Sequence, residues 1–168
     1  LVAAVLIAGG GFFLTQLNRQ PPLFPDQLPQ RIVCIGDSLT AGVPSDGVTR
    51  LWPEILENKL GPRASVVNLS HPGDTAGEAW RRWREDVREG NWGREEPWQP
   101  ELVILLLGGN DILQQSGAGV LEKDLQTWAS ALDRTGTPVL MIPVPGALFQ
   151  DGYSGIWKRV AGRHGFAT

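Results

Sequence analysis

Three short stretches carry residue types that together can perform acyl transfer: Gly36-Asp37-Ser38-Leu39-Thr40, Ser70-His71-Pro72-Gly73-Asp74 and Gly108-Gly109-Asn110-Asp111. Ser38 offers a hydroxyl able to attack a carbonyl carbon. The attack turns the carbonyl oxygen into an oxyanion, which needs hydrogen-bond donors already aimed at it. The Ser38 backbone N–H, the Gly73 N–H and the Asn110 side-chain amide would supply three. Gly73 lets a ligand oxygen approach the backbone closely, and a helix start just behind it favours negative charge. Asp37 and His71 lie in the same stretches and are candidate substrate contacts. Taken alone, the first pentapeptide is equally well explained as a strand-to-helix turn, with Gly and Asp serving the turn and Ser the helix cap. What separates the two readings is whether the three stretches meet.

The elements around them say that they do. Arg31-Ile32-Val33-Cys34-Ile35 reads as a strand, Ala64 to Leu69 as a second, and Glu101 to Leu107, a continuous apolar run, as a central strand covered on both faces. Thr137 to Ile142 is a fourth, ended by Pro143 and Pro145. Between them come helical patterns. Leu51 to Leu60 has Pro53 in its first turn and Gly61-Pro62 as its stop, and Thr75-Ala76-Gly77-Glu78 has capping-box spacing. Val120 to Arg134 and Tyr153 to Gly162 follow, the last ended by Gly165. Strict alternation of strand and helix predicts a parallel sheet with helices on both faces. In such a sheet every strand-to-helix turn lies on one rim, so Ser38, Gly73 and Asn110 share an edge. Trp80, Trp83 and Trp128 fall on apolar helix faces, whereas Trp92 and Trp98, in the Glu89 to Pro100 loop, are the candidates for a substrate wall. Arg81, Arg82, Arg84 and Arg88 read as a solvated helix face.

Composition narrows the rest. The 168 residues suffice for one domain with a real core, and 42% apolar with 20% charged residues is not a disordered composition. A net charge of −3 without a Lys/Arg stripe argues against a nucleic-acid partner. The single Cys34, expected to be a buried hydrophobe, excludes an intramolecular disulfide, and His71 and His164 alone make no usual zinc site. Residues 1–17 carry no charge and read as a signal anchor or the apolar part of a signal peptide. Residues 18–30, with Pro21, Pro22, Pro25 and Pro29, read as an extended linker, which leaves 31–168 as the folded domain. The expected location is extracytoplasmic, periplasmic or at the cell surface, with membrane association through residues 1–17; a secreted protein is the alternative.

Gly36-Asp37-Ser38-Leu39-Thr40-Ala41-Gly42, Trp52-Pro53, Gly73-Asp74-Thr75 and Leu107-Gly108-Gly109-Asn110-Asp111 resemble, in order and spacing, the first three blocks of the GDSL, or SGNH, hydrolases. The likeness runs from about Arg31 to Arg163 and is strongest to the lysophospholipase/thioesterase/arylesterase branch. It implies a three-layer α/β/α sandwich with a mostly parallel sheet, the flavodoxin-like SGNH hydrolase fold. It implies Ser38 as nucleophile, Gly73 and Asn110 with the Ser38 amide as oxyanion hole, and a small carboxylic ester or thioester as substrate, with no metal and no cofactor.

It also implies a fourth block, Asp-x-x-His, since a serine hydroxyl needs a base. That block is not in these residues: Asp151 is followed three positions on by Ser154, and Ala161 stands three before His164. His164, in Arg-His-Gly, suits a helix end. The expectation is that the Asp–His pair lies beyond Thr168, that the C-terminal strand and helix are missing, and that the chain as it stands is nearly inactive. Two other readings stay open: a carbohydrate O-acetylesterase, and a binding module that keeps the fold without the chemistry.

Overall fold

The computed structural model describes residues 28–42, 51–95, 98–144 and 152–168. The apolar segment 1–17 and most of the Pro-rich stretch lie outside these. Among the described residues no helix is long and apolar enough to cross a membrane.

Among the described residues four strands form one sheet: β1 (Arg31–Gly36), β2 (Ser65–Ser70), β3 (Leu102–Leu106) and β4 (Val139–Met141), in the order β2-β1-β3-β4. Every pairing is parallel. β1 lies between two neighbours and is apolar on both faces, so its side chains divide by parity. Val33 and Ile35, with Val103 and Leu105 of β3, enter the larger core under α3 (Ala76–Glu89), α5 (Ala118–Asp133) and α6 (Ile156–His164). Ile32 and Cys34, with Leu102 and Ile104, enter a smaller core covered by Trp52, Leu56 and Leu60 of α2 (Trp52–Leu60). Burying each such aliphatic side chain contributes about 1.5–3 kcal/mol. This is the expected α/β/α sandwich. Cys34 is fully buried as expected, and burial pushes its thiol up to about 12, so it is unreactive.

Register, not only topology, aligns the strand ends. Gly36 sits beside Ser70 on one side and Leu106 on the other. The chain therefore leaves β1, β2 and β3 at one level, with neighbouring strands about 4.8 Å apart. Strand order reverses between β1 and β3, and the crevice at such a reversal is where open α/β sheets hold ligands.

Several ends differ from the sequence expectation. α6 starts at Ile156, not Tyr153, because Gly155 adopts a left-handed conformation with φ of 76° at its cap. Tyr153 is instead a loop residue whose hydroxyl accepts the Gly117 N–H at 3.2 Å. On α3 the deepest residues are Ala76, Ala79 and Val87; Trp80 and Trp83 are only partly buried, since small residues let this helix lie close to its neighbours. Past α6, Ala167 pairs with β4: its N–H donates to Val139 O at 3.1 Å and its carbonyl accepts from Met141 N at 2.9 Å, the place of a fifth parallel strand.

Candidate active site

Ser38 opens α1 (Ser38–Ala41), a single turn of helix directly after β1. The helix is capped by Asp37, not by Ser38: the Asp37 carboxylate accepts the Leu39 N–H at 2.9 Å. Ser38 is thus relieved of the capping role that its residue type suggests, and its hydroxyl is not committed to the turn. Its backbone N–H is one of the first-turn donors that a helix leaves without an internal partner. Gly36 is required by packing, because a Cβ there would overlap the Thr40 side chain and lie 2.9 Å from Leu106 O.

Gly73 has φ of 88°, a left-handed conformation that glycine adopts without strain, and nothing lies within 4 Å of where its Cβ would be. Its backbone is open to an approaching ligand. Two residues later the expected capping box starts α3: Thr75 Oγ1 accepts from Glu78 N and the Glu78 carboxylate accepts from Thr75 N at 2.9 Å. Asn110 lies in α4 (Gly109–Leu113), entered through Gly108 at φ of 115°.

Hydrogen bonds join the second turn to both of the others. The His71 N–H donates to Gly36 O at 3.2 Å, tying the second turn to the first. The Asn110 side-chain amide donates to Asp74 O at 2.9 Å, and Asp111 Oδ2 accepts from Ala76 N at 2.8 Å, tying the third to the second. The Gly109 N–H favours the charged form of the Asp37 carboxylate, an electrostatic link from the third turn to the first. An amide NH2 has two N–H donors, so Asn110 is oriented by one and keeps the other. Ser38 and Asn110 are half-buried and Gly73 is exposed, as a site on a rim requires.

Two carboxylic acids lie beneath this surface. Burial pushes the Asp37 carboxyl above the usual carboxylate range, against the pull of N–H bonds from Leu39 and Gly109. Burial raises Asp111 likewise, with Asp124 and Glu78 adding to it. Asp37 is inaccessible, so its carboxylate serves the turn and offers no surface to substrate. His71 is the accessible one, with its side chain 51% exposed and Nδ1 3.4 Å from Asp74 Oδ1.

Sequence reading missed Asp74 and Arg82. Arg82 is not merely part of a solvated face: its guanidinium grips the buried Asp74 through Nε at 2.9 Å and Nη2 at 3.0 Å, directly behind Gly73. The eight-residue separation spans a turn and two helical turns, which no local spacing rule flags. Trp92 and Trp98 require a correction. Trp92 is only 2% exposed, Trp98 packs against the same core, and both follow the C-terminal end of α3, at the rim opposite Ser38. They form no substrate wall. His164 also lies at that far rim, where Nδ1 is 3.1 Å from Asp133 Oδ2 and Nε2 meets the Gln126 amide. Among the described residues no group of His, Cys, Asp and Glu could hold a metal ion.

A parallel α/β sheet that carries Ser, Gly and Asn in the turns after its first three strands has the layout of the SGNH hydrolases. The chain belongs to the GDSL-like lipase/acylhydrolase family, whose sequence pattern matches residues 34–166. It is 29% identical over 143 residues to an arylesterase of Vibrio mimicus, covering 80% of this chain and 67% of that protein. To the thioesterase 1/protease 1/lysophospholipase L1 of Escherichia coli it is 30% identical over 138 residues, covering 77% of this chain and 61% of the relative. The chain thus spans less than two thirds of the latter's length. Among solved structures it resembles AlinE4, an SGNH-hydrolase family esterase, with a TM-score of 0.66 and 26% identity over 86% of this chain and 76% of that one. A structure of TesA matches with a TM-score of 0.65 and 26% identity over 80% and 74%.

Proposed function

We propose that this protein is a serine esterase that hydrolyses carboxylic ester or thioester bonds, with Ser38 as nucleophile. In this reading Ser38 Oγ attacks the acyl carbon. The carbonyl oxygen becomes an oxyanion held by the N–H groups of Ser38 and Gly73 and the remaining N–H of Asn110. The alcohol or thiol then leaves with a proton, and water releases the acid from the acyl-serine. The observation that carries it is the set of hydrogen bonds that ties the second turn to the first and to the third, which holds donors in place before charge develops. The arylesterase and thioesterase/lysophospholipase names of the relatives support ester and thioester substrates. His71, half-exposed beside Gly73, is the side chain best situated to contact substrate.

The base is the incomplete part. His164 belongs to the far rim, and among the described residues no hydrogen bond joins the His71 side chain, which is half-exposed, to Ser38. Residues 1–168 alone are therefore expected to hydrolyse esters only slowly. Hydrolysis of p-nitrophenyl acetate by these residues that vanishes in Ser38→Ala but survives His71→Ala would contradict that expectation. An acyl series from acetyl to palmitoyl tests the substrate class in the full-length protein. Turnover of medium and long chains fits the lipase or lysophospholipase type, whereas strict acetyl preference fits a carbohydrate O-acetylesterase. No turnover of any ester fits a binding module. An extracytoplasmic location rests on the uncharged residues 1–17 and the Pro-rich stretch after them; cell fractionation tests it.

A further inference from the structure

We propose that Asp111 is a positioning residue for the oxyanion site, holding the second turn so that the Gly73 N–H and the Asn110 amide converge on one point. The inference rests on the reading of Ser38, Gly73 and Asn110 given above. Asn110 and Asp111 are consecutive, and both reach the same short passage of chain. Asn110 Nδ2 donates to Asp74 O at 2.9 Å, and Asp111 Oδ2 accepts from Ala76 N at 2.8 Å. Asp74 to Ala76 is the entry to α3, and Gly73 is the residue just before it. Trp128 Nε1 donates to Ala76 O at 3.0 Å, so Ala76 is held through both its N–H and its carbonyl. With the entry pinned, the orientation of the Gly73 peptide is the freedom left to be set, and the two bonds from the third turn set it.

A purely structural role explains Asp111 poorly. It is 1% exposed, and Oδ1 has no hydrogen-bond partner among the described residues. Asp124 of α5 and Glu78 of α3 face it with like charge, and burial raises its carboxyl. A single amide N–H could be satisfied by a neutral acceptor at lower cost. A group kept in an unfavourable place, next to a catalytic side chain, is the pattern of a site residue that breaks a local rule.

The test uses the full-length protein, with Ser38→Ala as reference for the underlying reading. Asp111→Ala is expected to lower kcat about 10- to 100-fold with KM little changed, a loss below that of removing an oxyanion donor outright. Asp111→Asn, which keeps an acceptor for Ala76 N, is expected to recover most of it. If Ser38→Ala abolishes turnover while Asp111→Ala matches the parent, or if Asn does no better than Ala, the proposal is overturned. If Ser38→Ala keeps full activity, the nucleophile reading itself has failed. Should Asp111→Ala not fold, amide hydrogen exchange on the unaltered protein decides. Ala76 N–H protection is expected to be already established in the free protein and within a few-fold of that in a Ser38 phosphonate adduct. Rapid exchange that slows only in the adduct would show that the clamp is not preformed.

Discussion

Among the described residues two histidine–aspartate pairs stand one at each rim of the sheet, and they are not equivalent. At the C-terminal rim, His71 Nδ1 stands 3.4 Å from Asp74, and its side chain is half-exposed beside Gly73. At the N-terminal rim, His164 is closer to its partner, 3.1 Å from Asp133, and its side chain is only 12% exposed. Its ring also packs on Phe166, with centroids 5.5 Å apart. By pair geometry alone, His164 with Asp133 has more of the character of a catalytic dyad. It joins the end of α5 to the end of α6, a sheet's length from Ser38, and is a structural clasp. The cavity between the C-terminal ends of α3 and α5, about 430 Å³ and lined by Val87, Trp92 and Arg134 among others, lies at this same far rim. The proposed site rests instead on the register that levels Gly36, Ser70 and Leu106 at the opposite rim.

The contrast can be broken most forcefully at Asn110. Asn110→Ala in the full-length protein is expected to lower kcat by about 10²–10³ while the fold persists, because a donor to the oxyanion is lost. Steady-state kinetics beside near-ultraviolet circular dichroism check it; an unchanged kcat would remove Asn110 from the site. A smaller effect separates the two histidines. His71→Ala is expected to raise KM several-fold with kcat held, whereas His164→Ala leaves both unchanged and lowers stability by about 1 kcal/mol. A kcat loss confined to His164→Ala would reverse the assignment of the rims.

The smallest effect is on pH. A carboxyl whose folded-state pKa is raised holds its proton in the native state after the unfolded chain has released it. Its contribution to stability is therefore complete below the unfolded value, about 3.9, and is lost as pH rises through the folded value. Burial raises both Asp37 and Asp111 in this way. Tm of Asp111→Asn relative to the parent should climb with pH across that window and level off above it. A difference that stays flat from acid to neutral pH would mean that Asp111 titrates normally.

Much of this was legible in the sequence because it depends on neighbours in the chain. The Thr75 and Glu78 capping box, the Pro53 and Gly61 bounds of α2 and the Gly165 stop of α6 are local signals, and each is seen. The meeting of Ser38, Gly73 and Asn110 on one rim followed from strand–helix alternation. What could not be read depends on pairs brought together only by packing. Asp111 meets Ala76 across 35 residues, and Asn110 meets Asp74 across 36. Trp92 has the sequence context of a loop residue because burial at a helix end leaves no periodic trace. Asp37 displaced Ser38 as the cap because both are good capping residues, and only the backbone geometry chooses between them.

The most direct measurement is labelling of the folded, full-length protein with a fluorophosphonate probe, followed by peptide mass spectrometry. The account predicts one adduct, on Ser38, absent in Ser38→Ala and formed far more slowly in Asn110→Ala. A folded protein that takes no label, or takes it at a serine away from this rim, would contradict it.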